Sequence, residues 1–355
     1  MRKRHFLFAS ALALLCSSGA LHAQDFKLTS SGYFKNQGVD VMAFDDIYPE
    51  GHQGGVCIIM NGHRVATNGD IRLEATPGQW QPVPKQLDRK LSDNSITATL
   101  CYPDSSRHLT GFNPMIYPDL HLIYTVQVES KGKHIEVTVD LDRPIPQEFI
   151  GKVGFNLEFF PGSLFGKPWI MDGQSGIFPQ QPNSPLMTTQ PNYLHTGNYH
   201  DGKQSLADMD KLIGKGYSPI VADDIISEPY AKGTKFTSRP DDPYNKVTIE
   251  SLSGDLQLFD GRMNHNNGWF VLRSNIKPGV TKGAVKWIIT PNVVADWMYQ
   301  PVIQTSQIGY HPAQDKEAVI EMDIRDNRKE TAQIIRIDAD GEKVVKNVTP
   351  ANWGK

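Results

Sequence analysis

Two acids and a cluster of ring side chains are the residues of this chain whose types could carry out a reaction. Cleaving a glycosidic bond with side chains alone needs two carboxyl groups about 5 to 10 Å apart, one to protonate the leaving oxygen and one to serve as base or nucleophile. Glu158 and Asp172, at the entrance to a long aromatic-rich stretch, are the pair of that kind to test first. Proton transfer of the lyase or mutarotase type instead places histidine and tyrosine near an acid, and His195, Tyr199 and His200 could serve. With 11 histidines in the chain, random placement also produces such a cluster. Without any reaction, the flat faces of Trp169, Tyr199 and Trp269 could stack on sugar rings while Asn264 and Asn266 bond hydroxyls. The alternative for Trp269 is a core position, because it begins an apolar strand.

Other chemistries lack their signatures. His195 and His200 match no helical or hairpin ligand spacing, and neither Cys-x-x-Cys nor His-Glu-x-x-His occurs, so no metal is expected. A nucleophilic serine has no Gly-x-Ser-x-Gly elbow, and Gly54-Gly55 is followed by no Lys-Ser or Lys-Thr pair that would make a phosphate loop. The acid pairs at 45–46, 223–224 and 241–242 sit beside turn formers without the regular spacing of a calcium loop, and read as solvated loops. No cofactor is expected.

The elements that would position these residues are strands. Leu120, Leu122, Tyr124, Val126 and Val128 alternate with polar residues, as do Ile135, Val137, Val139 and Leu141, and Lys131-Gly132-Lys133 joins the two runs into a half-buried hairpin. Val153 to Phe159 adds another strand, and Asn61-Gly62 between Val56–Met60 and Arg64–Thr67 is the strongest hairpin signal. Short strands are expected over Val39–Phe44, Ile96–Tyr102, Lys246–Glu250, Asp255–Asp260, Gly268–Arg273 and Ala284–Thr290. From Phe160 to His200 regularity disappears under many prolines and aromatics, the kind of long loop that either carries function or covers a sheet. Helical spacing is confined to Ser205–Ile213. No βαβ alternation occurs, so the fold class is all-β: a large antiparallel β-sandwich over residues 24–300, which at this size can extend to a supersandwich.

Composition narrows the setting. The 36 basic and 39 acidic residues are interleaved and sum to −3, leaving no footprint for nucleic acid or an anionic membrane. Arg2-Lys3-Arg4, the apolar run Phe6–Leu15 and the small-residue exit Ala20-Leu21-His22-Ala23 read as a signal peptide over residues 1–23, which predicts export to a periplasm, cell surface or medium. No other apolar run reaches the roughly 18 residues that suggest a membrane span. Cys57 and Cys101 then enter an oxidising compartment in neighbouring strand-like runs. A disulfide between them is expected, with two buried thiols as the alternative.

Pro301 begins a new unit. Val302–Thr305 and Ala318–Met322 read as strands around a Gly-Tyr-His-Pro turn, followed by strands over Thr331–Ile337 and Glu342–Lys346. The string Gln307-Ile308-Gly309-Tyr310-His311-Pro312, with Lys316, the strand Ala318-Val319-Ile320-Glu321 and Trp353-Gly354-Lys355, resembles the opening of the immunoglobulin-like domain that precedes the catalytic barrel in family 9 glycoside hydrolases. The resemblance covers residues 301–355. It implies the front half of an immunoglobulin-like sandwich, a catalytic domain downstream in the same chain, and a parent enzyme acting on β-1,4-glucans, so a β-glucan polysaccharide is the implied partner. The family's Asp-Ala-Gly-Asp motif is absent, since Asp338-Ala339-Asp340-Gly341 has the wrong order and falls in a turn. No catalytic residue carries over. The resemblance thus implies a non-catalytic accessory, structural or carbohydrate-contacting region of an exported cellulase-like hydrolase. The other reading is a polysaccharide-active enzyme, a glycosidase, lyase or mutarotase, with its site in residues 24–300.

Overall fold

The computed structural model describes residues 25–45, 55–74, 76–77, 84–102, 120–184, 187–189, 225–263, 268–327 and 331–353. The strands in chain order are β1 (Lys27–Leu28), β2 (Phe34–Asn36), β3 (Val39–Ala43), β4 (Val56–Met60), β5 (His63–Leu73), β6 (Lys85–Leu91), β7 (Ser95–Tyr102) and β8 (Leu122–Lys131). They continue with β9 (His134–Leu141), β10 (Val153–Phe159), β11 (Pro168–Met171), β12 (Gln174–Ile177), β13 (Met187–Thr189), β14 (Ile225–Ser227), β15 (Ala231–Gly233) and β16 (Lys235–Ser238). The last are β17 (Val247–Ser251), β18 (Leu256–Asp260), β19 (Phe270–Asn275), β20 (Val285–Pro291), β21 (Val302–Gln304), β22 (Val319–Glu321), β23 (Ala332–Asp338) and β24 (Gly341–Val348).

Two nine-stranded antiparallel sheets result, the all-β sandwich that the alternation predicts. The first has the order β1-β2-β3-β4-β5-β10-β19-β18-β15, the second β12-β11-β16-β17-β20-β9-β8-β7-β6. They pack face to face through one continuous apolar core. Phe155 of the first sheet meets Trp287 of the second edge-on at 5.0 Å between centroids, and Phe159 meets Phe236 at 5.8 Å.

Turn chemistry sets the registers. Asn61 and Gly62 both have positive φ, 53° and 82°, so the β4–β5 hairpin has the mirror-image turn that matches strand twist. The same geometry recurs at Asp172 and Gly173, with φ of 44° and 84°, between β11 and β12. That hairpin corrects the expectation of an irregular stretch after Phe160: an Asp-Gly turn outweighs the surrounding prolines, and Pro168 sits at a strand start, where its missing N–H is tolerated. Arg262 holds the chain that follows, donating to the carbonyls of Pro179, Gln180 and Gln181 while its guanidinium lies over the Phe165 and Phe270 rings. The expected helix over 205–213 and the leader lie outside the described residues.

The disulfide is not formed. Cys57 lies on β4 of the first sheet and Cys101 on β7 of the second, and both are thiols. Val56 and Ile58 on either side of Cys57, and Leu100 and Tyr102 on either side of Cys101, belong to the core between the sheets, so strand alternation puts the two cysteines on the outer faces of opposite sheets.

Beyond Pro291 the chain forms two separate hairpins. β21 and β22 flank the expected turn, with Gly309 at φ 81° and Lys316 Nζ donating to the carbonyls of Pro312 and Gln314. β23 and β24 turn through Ala339-Asp340 and leave Ile334, Ile337 and Val345 each more than half exposed.

Candidate functional site: a buried polar row on the first sheet

Strand alternation separates the two faces of the first sheet. Phe155 and Ser274 are register partners, and both meet Trp287 of the second sheet, Ser274 Oγ by accepting from its indole Nε1 at 3.0 Å. Asn156, its partner Arg273 on β19 and its partner Asp70 on β5 therefore lie on the opposite face of their strands from Phe155 and Ser274. Arg72 shares that face, as does Glu158, two residues from Asn156 on β10; Glu74 joins through its bonds to Arg273 and Asn156, and Asn68 through its bond to Glu158.

This face carries three carboxyl groups, two guanidinium groups and two amides, all buried. Arg273 Nη1 donates to Glu74 Oε1 at 3.2 Å and to Asn156 Oδ1 at 3.1 Å, and Asn156 Nδ2 donates to Glu74 Oε1 at 2.5 Å. The second Arg273 nitrogen, Nη2, donates to the Lys152 carbonyl at 2.8 Å. Arg72 pairs with Asp70 at 3.6 Å, and Asn68 Nδ2 donates to Glu158 Oε2 at 2.6 Å.

Two tyrosines of the second sheet complete the network. β4 pairs with β5 only as far as Gly69, so the next part of β5 has an open edge. There Tyr102 Oη accepts the Leu73 N–H at 3.1 Å, and Tyr124 Oη donates to Asp70 Oδ1 at 2.9 Å.

Burial dominates the electrostatics. It pushes the Glu74 carboxyl up to about 7 against the pull of Arg273 and Asn156, and the Asp70 carboxyl up to about 6 against the pull of Arg72. Both tyrosine hydroxyls are pushed above their ordinary value by the same cause, and Arg273 is lowered by it. Acids poised near neutrality can donate a proton, the property that general acids share.

Of the acid pair expected from the sequence, Glu158 belongs to this row. Asp172 does not: it lies in the β11–β12 turn of the second sheet, exposed, and accepts from the backbone N–H groups of Thr234 and Lys235 at 2.5 and 3.0 Å. Those bonds hold its carboxyl below the usual range. The structure therefore gives Glu158 other carboxyl neighbours in place of Asp172.

The aromatic candidates separate as well. Trp169 is 5% exposed and part of the apolar core, and its ring covers Gly176, where a Cβ would stand 2.4 Å from Cζ2. It offers no free face for a sugar. Trp269 is half-buried and packs edge-on against Phe160 at 4.3 Å. Tyr199, His195, His200, Asn264 and Asn266 lie outside the described residues. Among the described residues no group of three or more His, Cys, Asp or Glu could hold a metal ion, and no helix is long and apolar enough to cross a membrane.

Sequence reasoning missed Asp70, Arg72, Glu74, Asn156 and Arg273. Their signal was a strand whose alternate positions hold acids and bases of both signs, Asn68-x-Asp70-x-Arg72-x-Glu74, a pattern that a solvent-facing strand shares.

No protein-family model matches the chain, and no curated protein matches it in sequence. Solved structures similar to it include a galactose mutarotase related enzyme from Lactobacillus acidophilus, 10% identical over 73% of this chain and 96% of that one, with a TM-score of 0.34. A galactose mutarotase-like protein from Lactobacillus casei is 12% identical over 72% of this chain and 97% of that one, TM-score 0.32. A heparan sulfate lyase from Pedobacter heparinus is 10% identical over 91% of this chain and 42% of that one, TM-score 0.27.

Proposed function

We propose that this chain is the non-catalytic N-terminal region of an exported, cellulase-like polysaccharide hydrolase. In this reading residues 24–300 form an accessory sandwich and residues 301–355 contribute the front half of an immunoglobulin-like domain ahead of a catalytic domain in the same chain. One observation carries the non-catalytic part. The three carboxyl groups of the polar row are buried and bonded to Arg72, Arg273, Asn68 and Asn156, and none is presented to a polymer as large as a glycan. The resemblance of Gln307–Pro312 and the strands around it to the family 9 module supports the parent activity. The signal-like residues 1–23 support export.

The test is reducing-sugar release from cellulose, xyloglucan and mixed-linkage glucan by the purified chain. No release is expected, whereas a protein extended through a downstream catalytic domain should be active. A second reading, a polysaccharide-active enzyme within residues 24–300, is favoured by one observation, the near-neutral carboxyls of Glu74 and Asp70. Hydrolysis or elimination by the chain that disappears in Glu158→Gln or Glu74→Gln would establish that second reading and end the first.

A further inference from the structure

The chain between β20 and β21 is held at Asn292, which donates to the carbonyls of Lys246 and Pro243, and again at residues 297–299. Residues 297–299 lie on two adjacent turns of the first sheet, Gln37-Gly38 between β2 and β3 and Asn61-Gly62 between β4 and β5. These turns are tied together, since the Asn61 N–H donates to the Gly38 carbonyl at 2.7 Å. Asn61 Nδ2 further donates to the Tyr244 carbonyl at 2.5 Å. Each glycine lies beneath an aromatic ring of the connecting segment. A Cβ on Gly38 would stand 2.7 Å from Trp297 Cε3, and one on Gly62 would stand 2.9 Å from Tyr299 Cε2. Both glycines also have positive φ, so side chains are disfavoured there twice over. The two rings meet edge-on at 6.1 Å.

A single carbonyl then joins the two sides. The Trp297 oxygen accepts from Gln37 Nε2 of the sandwich at 2.6 Å and from Arg325 Nη2, beyond β22, at 2.5 Å. Arg325 is fixed by a two-pronged pair with Asp323, Nε to Oδ1 at 2.9 Å and Nη2 to Oδ2 at 2.7 Å. Asp323 Oδ2 also accepts the Tyr299 N–H at 3.0 Å. A flexible linker has the opposite character, rich in glycine and serine and solvated along its backbone.

We propose that residues 297–299 form a rigid joint that fixes the β21–β22 hairpin at one orientation to the sandwich. The two turns are the receptor surface, and the occupant is the Trp297–Tyr299 segment of this same chain. Whatever binds that hairpin is presented at a set angle. The inference does not depend on whether the sandwich contacts a glycan.

Chymotrypsin digestion of the native chain tests it, because Trp297, Met298 and Tyr299 are cleavage sites that a docked joint protects. Gln37→Ala combined with Arg325→Ala should speed cleavage between 296 and 300 by about tenfold or more, since proteolysis follows local opening. The unfolding midpoint of the sandwich should stay in place, and the radius of gyration in solution scattering should rise. Gly38→Val should release the joint from the sandwich side. If the double variant proves unfolded, Arg325→Ala alone, on the hairpin side, decides. Cleavage of the unaltered chain at these bonds as fast as in the variants, with the sandwich intact, would overturn the proposal.

Discussion

A glutamate that binds its proton near pH 7 makes stability depend on pH in the reverse of the usual carboxylate sense. Glu74 and Asp70 have folded-state values near 7 and 6, above their ordinary 4.5 and 3.8, so the folded state holds protons that the unfolded state releases. Their contribution is fully present below about pH 4 and is lost as the pH rises through 6 and 7. Carboxylates with lowered values, such as Asp172, Asp242 and Asp323, act in the other direction but only below the ordinary aspartate range, outside this window. The unfolding midpoint should therefore fall between pH 5 and pH 8. Glu74→Gln, which removes the titration and keeps an amide of the same shape, should flatten that fall by up to roughly 3 kcal/mol in stability. A midpoint that rises over the same range, unchanged by the substitution, would show that the row is not proton-linked. Glu74→Ala is a different experiment: above pH 7, where Glu74 is ionised, it strands the buried Arg273 charge and should cost about 3 to 5 kcal/mol.

Among the elements, those whose two faces meet different surroundings were legible in the sequence. β8 and β9 alternate because one face enters the core while the other meets solvent, and Asn61-Gly62 announced its hairpin through residue types that tolerate its dihedrals. β5 was legible only to Thr67, although it continues to Leu73. Beyond Thr67 a bulge at Asn68, with φ of 55°, breaks the alternation, and both faces of the strand are buried, one among apolar groups and one in the polar row. A strand that buries charges looks in sequence like one that exposes them, because the partners Asn156, Glu158 and Arg273 come from β10 and β19. Trp169 was misleading for the opposite reason: an aromatic among prolines resembles a binding platform, yet β11 turns it inward over Gly176. Trp169→Ala should consequently lower stability by about 3 to 5 kcal/mol, the usual cost of a large aromatic lost from a core. Denaturant unfolding measures this. A variant of unchanged stability but weaker glycan retention in affinity electrophoresis would restore the platform role.

For the whole molecule, the signal-like residues 1–23 and the sandwich make a joint expectation. If residues 1–23 direct export, mass spectrometry of periplasmic or secreted material should find a chain beginning near Gln24, and an intact Met1 in the cytoplasm would contradict it. Topology adds a constraint on how such a chain folds. Each large sheet consists of an early block and a late block: β1–β5 joins β19, β18 and β15 through β10, while β6–β9 joins β12, β11, β16 and β17 through β20. Trp287, which fills the core against Phe155, arrives on β20 near the end of this sequence. The early strands, β1 to β10, cannot close either sheet by themselves, because their inner edges on β10 and β9 wait for β19 and β20, made much later. Such non-local pairing is slow to form, so a polypeptide emerging from a ribosome stays open until about residue 291 has been made. That delay would keep the nascent chain threadable through a translocation pore, and it leaves two unpaired strand edges as the places where a stalled or truncated product would aggregate.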